Sequence, residues 1–484
     1  MRDERRILFN TTILSASEGL GQLANLVLIV SFARAFGART MGYYSVGMSV
    51  GAIAALFVSM GIPSLLIREI SRDPACARDR LGVLLPVQLL WTPIAWALGC
   101  AVSVALIGTT GAMAVVMAAC GYQILLPVTT LLLVPLQARE LMLVSSACNL
   151  AHRLLILVLG LGAIWLHADA GTVALAFIAG ALALAVMGWR QTARRFGAPA
   201  WRFRPAEALQ LYRAAAPFFG VLALSVIYAR GATLMLSGLS TTESVGLYAV
   251  ADRAMVALGL GAVMFNSAVY PALARVAHHS PAEARALLAR CLRLLLVAAI
   301  PLAALASIFS FDLVHLCFGA PYQAAARALQ VLAWTVPIRG AQSLFGSQLA
   351  ALNQQVALAR TRFIGLALFL TLSPVLIIYM GYVGAAWAVL CCDSLQLSLY
   401  WRLLGKERAA PELTAAYLAP AAAAATSALI SLLLADRDLA VRLAAAVAAM
   451  AAGLWGFGAI KLHDLRFLRT LISGKSDAKA AELP

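Results

Sequence analysis

Apolar segments of about twenty residues recur along almost the whole chain and are separated by short polar segments. Segments of this length and hydropathy are typical of helices that cross a bilayer. Fourteen such helices are predicted, at residues 8–33, 41–67, 81–107, 112–136, 143–165, 170–189, 212–236, 244–270, 290–310, 324–350, 358–380, 383–404, 413–434 and 439–460. The pattern therefore predicts an all-α integral membrane protein with about 14 transmembrane helices.

The distribution of charge predicts how these spans are oriented. The chain is 62% hydrophobic and only 12% charged, yet its net charge is +16. The basic residues cluster in the short segments between spans, which is typical of topology signals and does not indicate a nucleic-acid partner. With a cytoplasmic N-terminus, the inner segments hold 29 basic residues, Arg139 and Arg153 among them, and the outer segments hold 5. We therefore expect both termini to be cytoplasmic and the N-terminal segment to remain as the first span.

Motifs of enzymes and metal sites are not found in the sequence. The eight cysteines are scattered through the apolar spans without metal-ligand spacing or a disulfide framework. No Gly-rich phosphate loop, catalytic triad spacing or metal cluster occurs, and no predicted outer loop exceeds about fifteen residues. A membrane polysaccharide polymerase or ligase would tend to carry a long outer loop with catalytic Arg or His. The sequence thus favours a transport protein over an enzyme.

Two halves of the chain resemble each other at an offset near 205 residues. "GYYSV" at Gly42 corresponds to "GLYAV" at Gly246, and the segments starting at Gly171 and Gly384 both end in Trp-Arg. Six spans precede the basic segment "RQTARRFGAPAWRFRP" and six follow it in the same orientation. This predicts two parallel six-helix lobes, 1–205 and 206–410, related by a pseudo-two-fold axis along the membrane normal. Residues 411–484 would add two helices and a basic cytoplasmic tail.

Charged residues within the spans are candidates for a functional site, because an ionised group at the bilayer centre costs about 2.5 to 3.5 kcal/mol. Asp252 and Arg253 are adjacent, so on a helix they point about 100° apart and each needs its own partner. Arg230 and Asp252 have similar predicted depths on the seventh and eighth spans, so these two can pair and leave Arg253 for an anion. The alternative is a purely structural network of all three.

Three further charged residues lie within predicted spans. Glu18 and Asp393 are at mid-depth and are candidates for ion coupling through H⁺ or Na⁺, or for protonated groups with a structural role. Arg339 is a possible cavity cation, although we expect its side chain to extend towards the inner face. The polar residues within spans suit either sugar hydroxyls or helix-to-helix hydrogen bonds; they are Gln22, Asn25, Gln123, Asn266, Gln342 and Gln348.

These features together resemble the Wzx-like polysaccharide flippases of the multidrug/oligosaccharidyl-lipid/polysaccharide exporter superfamily. The resemblance is carried by fourteen spans, the six-plus-six repeat, "FARAFGARTMGYYSVGMSVGAIAALFVSMGIPSLLIREISRD" after the first span, and "ESVGLYAVADR" opening the eighth. It implies that a polyprenyl-pyrophosphate-linked oligosaccharide is translocated across the bacterial cytoplasmic (inner) membrane by alternating access. The cargo would serve O-antigen, capsule or exopolysaccharide synthesis, with polymerase and chain-length machinery as partners.

Under this resemblance the candidate residues take specific roles. Arg253, Arg230 and Arg339 would bind the pyrophosphate or sugar, because a guanidinium keeps its charge when buried and donates two parallel hydrogen bonds. Asp252, Glu18 and Asp393 would couple an ion or pair with these cations. Two alternatives remain within the superfamily: a peptidoglycan lipid-precursor flippase, and a multidrug or cation antiporter. Three arginines within spans argue against the antiporter.

Overall fold

The protein is predominantly helical in the ranges that its computed structural model describes, which are residues 2–109, 111–277, 281–406 and 413–457; no β-strand occurs in them. The α-helices are α1 (Arg2–Ser59), α2 (Ile62–Arg72), α3 (Ala77–Ile107), α4 (Met113–Leu131), α5 (Val134–Ala138), α6 (Met142–Trp165), α7 (Ala170–Phe196), α8 (Pro205–Leu239), α9 (Thr242–Ala277), α10 (Pro281–Ile308), α11 (Ser310–Phe318), α12 (Ala326–Leu332), α13 (Thr335–Ala351), α14 (Gln355–Lys406), α15 (Leu413–Leu433) and α16 (Leu439–Gly456). Each predicted span overlaps one of them, so the all-α fold class is confirmed.

Two of the helices are longer than one membrane crossing requires. α1 has 58 residues and α14 has 52, whereas about twenty residues cross a bilayer. Each is interrupted at a glycine with positive φ, Gly37 at 76° and Gly381 at 57°, a conformation that side chains with a Cβ rarely adopt. α1 and α14 therefore each contain two of the predicted spans. Within the described ranges, ten helices are long and apolar enough to cross a membrane, and the count of fourteen is not confirmed.

The first compact unit comprises Met1–Val250, Phe318–Tyr322 and Leu370–Ala385. In it, α1 packs against α3, α4, α6 and α8. One core cluster joins α2, α3, α4 and α8 through fully buried side chains, which include Leu65, Leu84, Ile124 and Ala215. The beginning of α8, the first helix after the basic segment, is thus part of the same core as the helices that precede that segment.

The second compact unit comprises Ala251–Cys317, Gln323–Phe369 and Ala386–Pro484. Here α10 packs against α12, α13, α15 and α16, and α15 packs against α16. A small buried cluster of Ala303, Ala306 and Ala333 lets these helices approach closely. These units reflect packing and do not test the division into 1–205, 206–410 and 411–484, which stays a prediction about the repeat.

Within the first unit, α1 and the start of α9 cross at two glycines from corresponding positions of the repeat. A Cβ on Gly42 would lie 2.0 Å from the carbonyl oxygen of Thr242, and a Cβ on Gly246 would lie 1.9 Å from that of Ala38. Both glycines follow a small residue four positions earlier, as in the small-xxx-small contacts of membrane helices. Gly42 and Gly246 are as far apart in sequence as Ala38 and Thr242, so exchanging the two repeats turns one contact into the other. This is the packing expected of repeats related by a two-fold axis.

Candidate functional site

An ion pair between α13 and α14 lies in the second unit. The Nε of Arg339 donates to Oδ2 of Asp393 at 2.7 Å. One turn further along α13, the side-chain amide of Gln342 donates to the main-chain oxygen of Asp393 at 2.6 Å. Because charge-assisted hydrogen bonds are strong and two contacts converge on one residue, α14 is fixed against α13 at this point.

The two charges of this pair differ in burial. The side chain of Asp393 is 1% exposed, whereas that of Arg339 is 37% exposed. A terminal nitrogen of Arg339 also lies 3.7 Å from the sulfur of Met255 on α9. The buried carboxylate therefore holds a cation whose own side chain remains accessible. The sequence did not predict the pairing of Arg339 with Asp393, and the expectation that Arg339 extends towards the inner face stays a prediction.

A row of polar side chains continues from this pair along α14. Asp393, Gln396 and Tyr400 are three and then four residues apart, which places them on one helix face. Gln396 donates to the hydroxyl of Tyr400 at 3.2 Å, and the Nε of Arg362 donates to the same hydroxyl at 3.4 Å. Arg362 is one of the 29 basic residues that the predicted orientation places on the inner side. We call Asp393, Gln396 and Tyr400, with Arg339 and Arg362, the polar row.

A second ion pair, in the first unit, joins α1 to α6. Arg153 donates to both carboxylate oxygens of Glu18, at 2.9 and 3.1 Å, and Gln22 donates to one of them at 3.0 Å. The assignment of Arg153 to an inner loop is therefore wrong, since it lies within α6. Its place as the eleventh residue of the predicted span 143–165 was the signal that could have identified it. Glu18 is half exposed, so this pair is less buried than the one at Asp393.

The remaining predicted residues lie on α8 and α9. Arg230 is half-buried on α8 in the first unit and has an interaction partner. Asp252 and Arg253 are half-buried on the part of α9 that belongs to the second unit. Within the described residues of that unit, neither makes a hydrogen bond or an ion pair. The pairing of Arg230 with Asp252 stays a prediction.

The polar residues that suit sugar binding differ in their burial and in their hydrogen bonds. In the second unit, Ser347 donates to the side-chain oxygen of Asn266 at 3.2 Å, which joins α13 to α9. Gln348 is fully buried on α13, and within the described part of the chain its side-chain amide has no hydrogen-bond partner. Among the described residues no three His, Cys, Asp or Glu side chains cluster as metal ligands. All eight cysteines are free thiols.

Comparison with protein families gives a match that covers more than half of the chain. A family model described as "Polysaccharide biosynthesis protein" matches residues 7–277. The matched region extends from within α1 to the end of α9 and contains Glu18, Arg153, Arg230, Asp252 and Arg253. Among curated proteins, none matches the chain in sequence.

Comparison with solved structures identifies the fold. The structure of the lipid II flippase MurJ in an inward closed conformation superposes with a TM-score of 0.75 at 13% identity, covering 95% of this chain and 100% of that one. A MATE structure in complex with MaD3S gives 0.58 at 12% identity, with 84% and 96% coverage. The eukaryotic MATE transporter AtDTX14 gives 0.52 at 14% identity, with 84% and 97% coverage. At such identities the likeness shows the fold alone, which is that of membrane transporters.

Proposed function

Because this chain belongs to the polysaccharide biosynthesis protein family, we propose that it is a flippase for a polyprenyl-pyrophosphate-linked oligosaccharide. The chain is a multi-pass membrane protein, and the proteins that share its fold are transporters and flippases rather than enzymes. The proposed cargo is the unit from which surface polysaccharide is built: O-antigen, capsule or exopolysaccharide. The proposed location is the bacterial inner membrane, with both termini cytoplasmic because of the excess of inner basic residues.

The observation that carries this proposal is the pair of Arg339 with Asp393. A carboxylate that is only 1% exposed would destabilise the protein if it had no cationic partner. Its presence in an apolar bundle therefore supports a functional role for the cation that it binds. A guanidinium is permanently charged and its planar donors match phosphate oxygens. The 37% exposed side chain of Arg339 can therefore contact the pyrophosphate of a cargo while Asp393 fixes its position.

The polar row supplies further groups suited to such a cargo. Arg362 and Gln396, which both donate to Tyr400, lie on the cytoplasmic side of Asp393 in the predicted topology. We propose that the pyrophosphate moves along this row between Arg362 and Arg339, with Arg253 as an additional cation on α9. Arg230 is proposed to neutralise Asp252. Asn266 and Gln342 are donors and acceptors of the kind that bind sugar hydroxyls.

Coupling to an ion gradient is proposed to act through the in-span acids. Glu18 and Asp393 each have an arginine partner, so protonation of either carboxyl would release a cation for the cargo. Asp252 is the third acid, without an ion pair in the described part of the second unit. For alternating access, each repeat is proposed to bend at a helix interruption: 1–205 at Gly37 and 206–410 at Gly381. Polysaccharide polymerase and chain-length proteins are the proposed partners.

A second candidate function is favoured by one observation. The solved structure with a TM-score of 0.75 is named a lipid II flippase. A lipid-linked peptidoglycan precursor carries the same kind of pyrophosphate on a polyprenyl chain, so the arginine chemistry serves either cargo equally well. The two proposals differ in the sugar, and hence in the substrate that must be tested.

The test is translocation in vesicles that contain the purified protein. One set carries a polyprenyl-pyrophosphate-linked oligosaccharide in the inner leaflet and another carries a lipid-linked peptidoglycan precursor. Oxidation by an impermeant periodate reagent measures how much sugar reaches the outer leaflet. We expect translocation of the oligosaccharide, its loss in Arg339→Gln, and wild-type translocation in the control Arg437→Gln, which removes an exposed arginine between α15 and α16. Translocation of the peptidoglycan precursor alone would support the second candidate function instead of the first. Translocation of neither substrate would refute both.

A further inference from the structure

The segment that joins the two repeats is a basic, aromatic surface next to the membrane. Residues 189–204, "WRQTARRFGAPAWRFR", contain five arginines and no acidic residue. All five arginines, Arg190, Arg194, Arg195, Arg202 and Arg204, have exposed side chains. Trp201 is 57% exposed and Phe203 is 63% exposed. We call this region the linker surface.

The linker surface is held in a fixed shape, although residues 198–204 are not helical. The main-chain N–H groups of Ala200 and Arg202 donate to the oxygens of Arg78 and Gly82, at 3.4 and 3.0 Å. The Nε of Arg78 donates to the oxygen of Ala198 at 3.0 Å. A Cβ at Gly82 would lie 1.9 Å from the oxygen of Ala200, so only glycine allows this approach. These hydrogen bonds to the first turns of α3 hold residues 198–204, which we call the strap, in place.

Aromatic and basic residues alternate along the strap. Trp201 and Phe203 alternate with Arg202 and Arg204, and all four side chains are exposed. The ring of Trp201 lies 6.0 Å from that of Trp189, near the end of the membrane-spanning helix α7. Tryptophan at the end of a span is typical of the headgroup level of the bilayer, so the exposed rings of Trp201 and Phe203 are expected at that level.

Nearby acids neutralise only part of this charge. Asp79 lies 3.6 Å from Arg202 and Glu207 lies 3.6 Å from Arg204, and all four side chains are at least one-third exposed. Ion pairs between exposed side chains have small interaction energies, so they hold these arginines only weakly. Arg190 and Arg194 make no ion pair within the described residues. The linker surface therefore keeps a net positive charge beside exposed aromatic rings.

From this combination we propose that the linker surface binds the headgroups of anionic phospholipids. Clustered arginines next to a membrane span attract anionic lipid, and the attraction is shared among several residues. Trp201 and Phe203 would insert between headgroups while the arginines contact the phosphates. The strap joins the helices of the two repeats, so lipid bound here would contact the segment that connects them.

The experiment measures lipid retained by the purified full-length protein. The protein is titrated with phosphatidylglycerol or phosphatidylcholine, and bound lipid is counted by native mass spectrometry. Arg194→Gln combined with Arg202→Gln is compared with the control Arg327→Gln combined with Arg437→Gln, which removes two exposed arginines elsewhere. We expect the wild type and the control to prefer phosphatidylglycerol, and the linker variant to bind it about thirtyfold more weakly, since it lacks two arginines that each contribute about 1 kcal/mol near the surface.

Two additional arms keep the result interpretable. The same positions changed to lysine should retain binding, because headgroup attraction depends mainly on charge, and this also shows that the linker tolerates substitution. Soluble glycerol phosphate should not displace the lipid, because it lacks the apolar part that Trp201 and Phe203 contact. Equal loss in the linker and control variants, or unchanged binding in the linker variant, would overturn the proposal. Displacement by glycerol phosphate would show a site for free phosphate groups instead.

Discussion

The carboxylate of Asp393 is buried and accepts a hydrogen bond of 2.7 Å from Arg339, whose side chain is partly exposed. This difference in burial leads to unequal consequences when either partner is removed. A charge left in the interior must be desolvated without compensation, whereas a partly exposed charge can be solvated by water or headgroups. The pair therefore permits a test of structure that does not depend on the cargo.

Arg339→Ala should destabilise the protein more than Asp393→Asn does. The first change removes the ion pair of a carboxylate that is 1% exposed, an effect of about 3 to 5 kcal/mol, whereas the second removes that of a cation that is 37% exposed. Thermal unfolding of the purified variants in detergent would measure the difference. The double variant should be more stable than Arg339→Ala. Equal unfolding temperatures for both single variants would contradict this account of the pair.

Gly246→Ala should impair the protein, whereas Gly259→Ala on the same helix should not. A Cβ at position 246 would lie 1.9 Å from a main-chain oxygen, which cannot move like a side chain, while one at position 259 meets no atom within 4 Å. Alanine also has the higher helix propensity by about 1 kcal/mol, so the control should be neutral or stabilised. Membrane abundance and export would be measured together. Wild-type behaviour of Gly246→Ala would refute close packing at the crossing with Gly42.

Arg253→Ala should leave the protein at normal abundance in the membrane yet reduce export. The residue makes no ion pair in the described part of the second unit, so its loss leaves no acid there unpaired. Arg253→Lys should retain part of the activity, because it keeps the charge but not the planar donors. Arg230→Ala should instead lower abundance if Arg230 neutralises Asp252. Surface polysaccharide in a complemented deletion strain, beside immunoblots of membranes, measures both effects; full export by Arg253→Ala would exclude its phosphate-binding role.

Ion coupling should depend on at least one of Glu18, Asp252 and Asp393. Glu18→Gln, Asp252→Asn and Asp393→Asn each remove a titratable group while preserving much of its shape and hydrogen bonding. A variant that has lost the coupling group should transport in vesicles at a rate independent of an imposed H⁺ or Na⁺ gradient. If all three amide variants respond to the gradient as the wild type does, these acids are structural.

The orientation can be tested by labelling single cysteines with an impermeant thiol reagent. In a cysteine-free background, Arg202→Cys lies in the linker surface, and Thr241→Cys lies between α8 and α9. The excess of basic residues in inner segments predicts that intact cells label residue 241 and not residue 202. Labelling of residue 202 but not 241 would reverse the topology. The linker surface would then face the outer leaflet.

The sequence determined the membrane class, the positions of the helices and the family. Hydropathy is a local property, so each span could be read from about twenty neighbouring residues, and every predicted span overlaps a helix. The family resemblance, carried by Gly, Tyr and Arg positions near Gly42 and Gly246, is confirmed by the match over residues 7–277. The sequence also identified Glu18, Arg339 and Asp393 as charges that require an explanation.

Only the tertiary structure decided the partners of those charges. Arg339 and Asp393 are 54 residues apart in sequence, and Glu18 and Arg153 are 135 apart. Neither spacing predicts contact, because helix rotation and packing determine which side chains meet across a bundle. The interruptions at Gly37 and Gly381 likewise depend on a positive φ at each glycine, which hydropathy does not encode. The repeat predicted that Gly42 and Gly246 are equivalent, but their direct contact arises from two backbones that approach closely, which hydropathy does not encode.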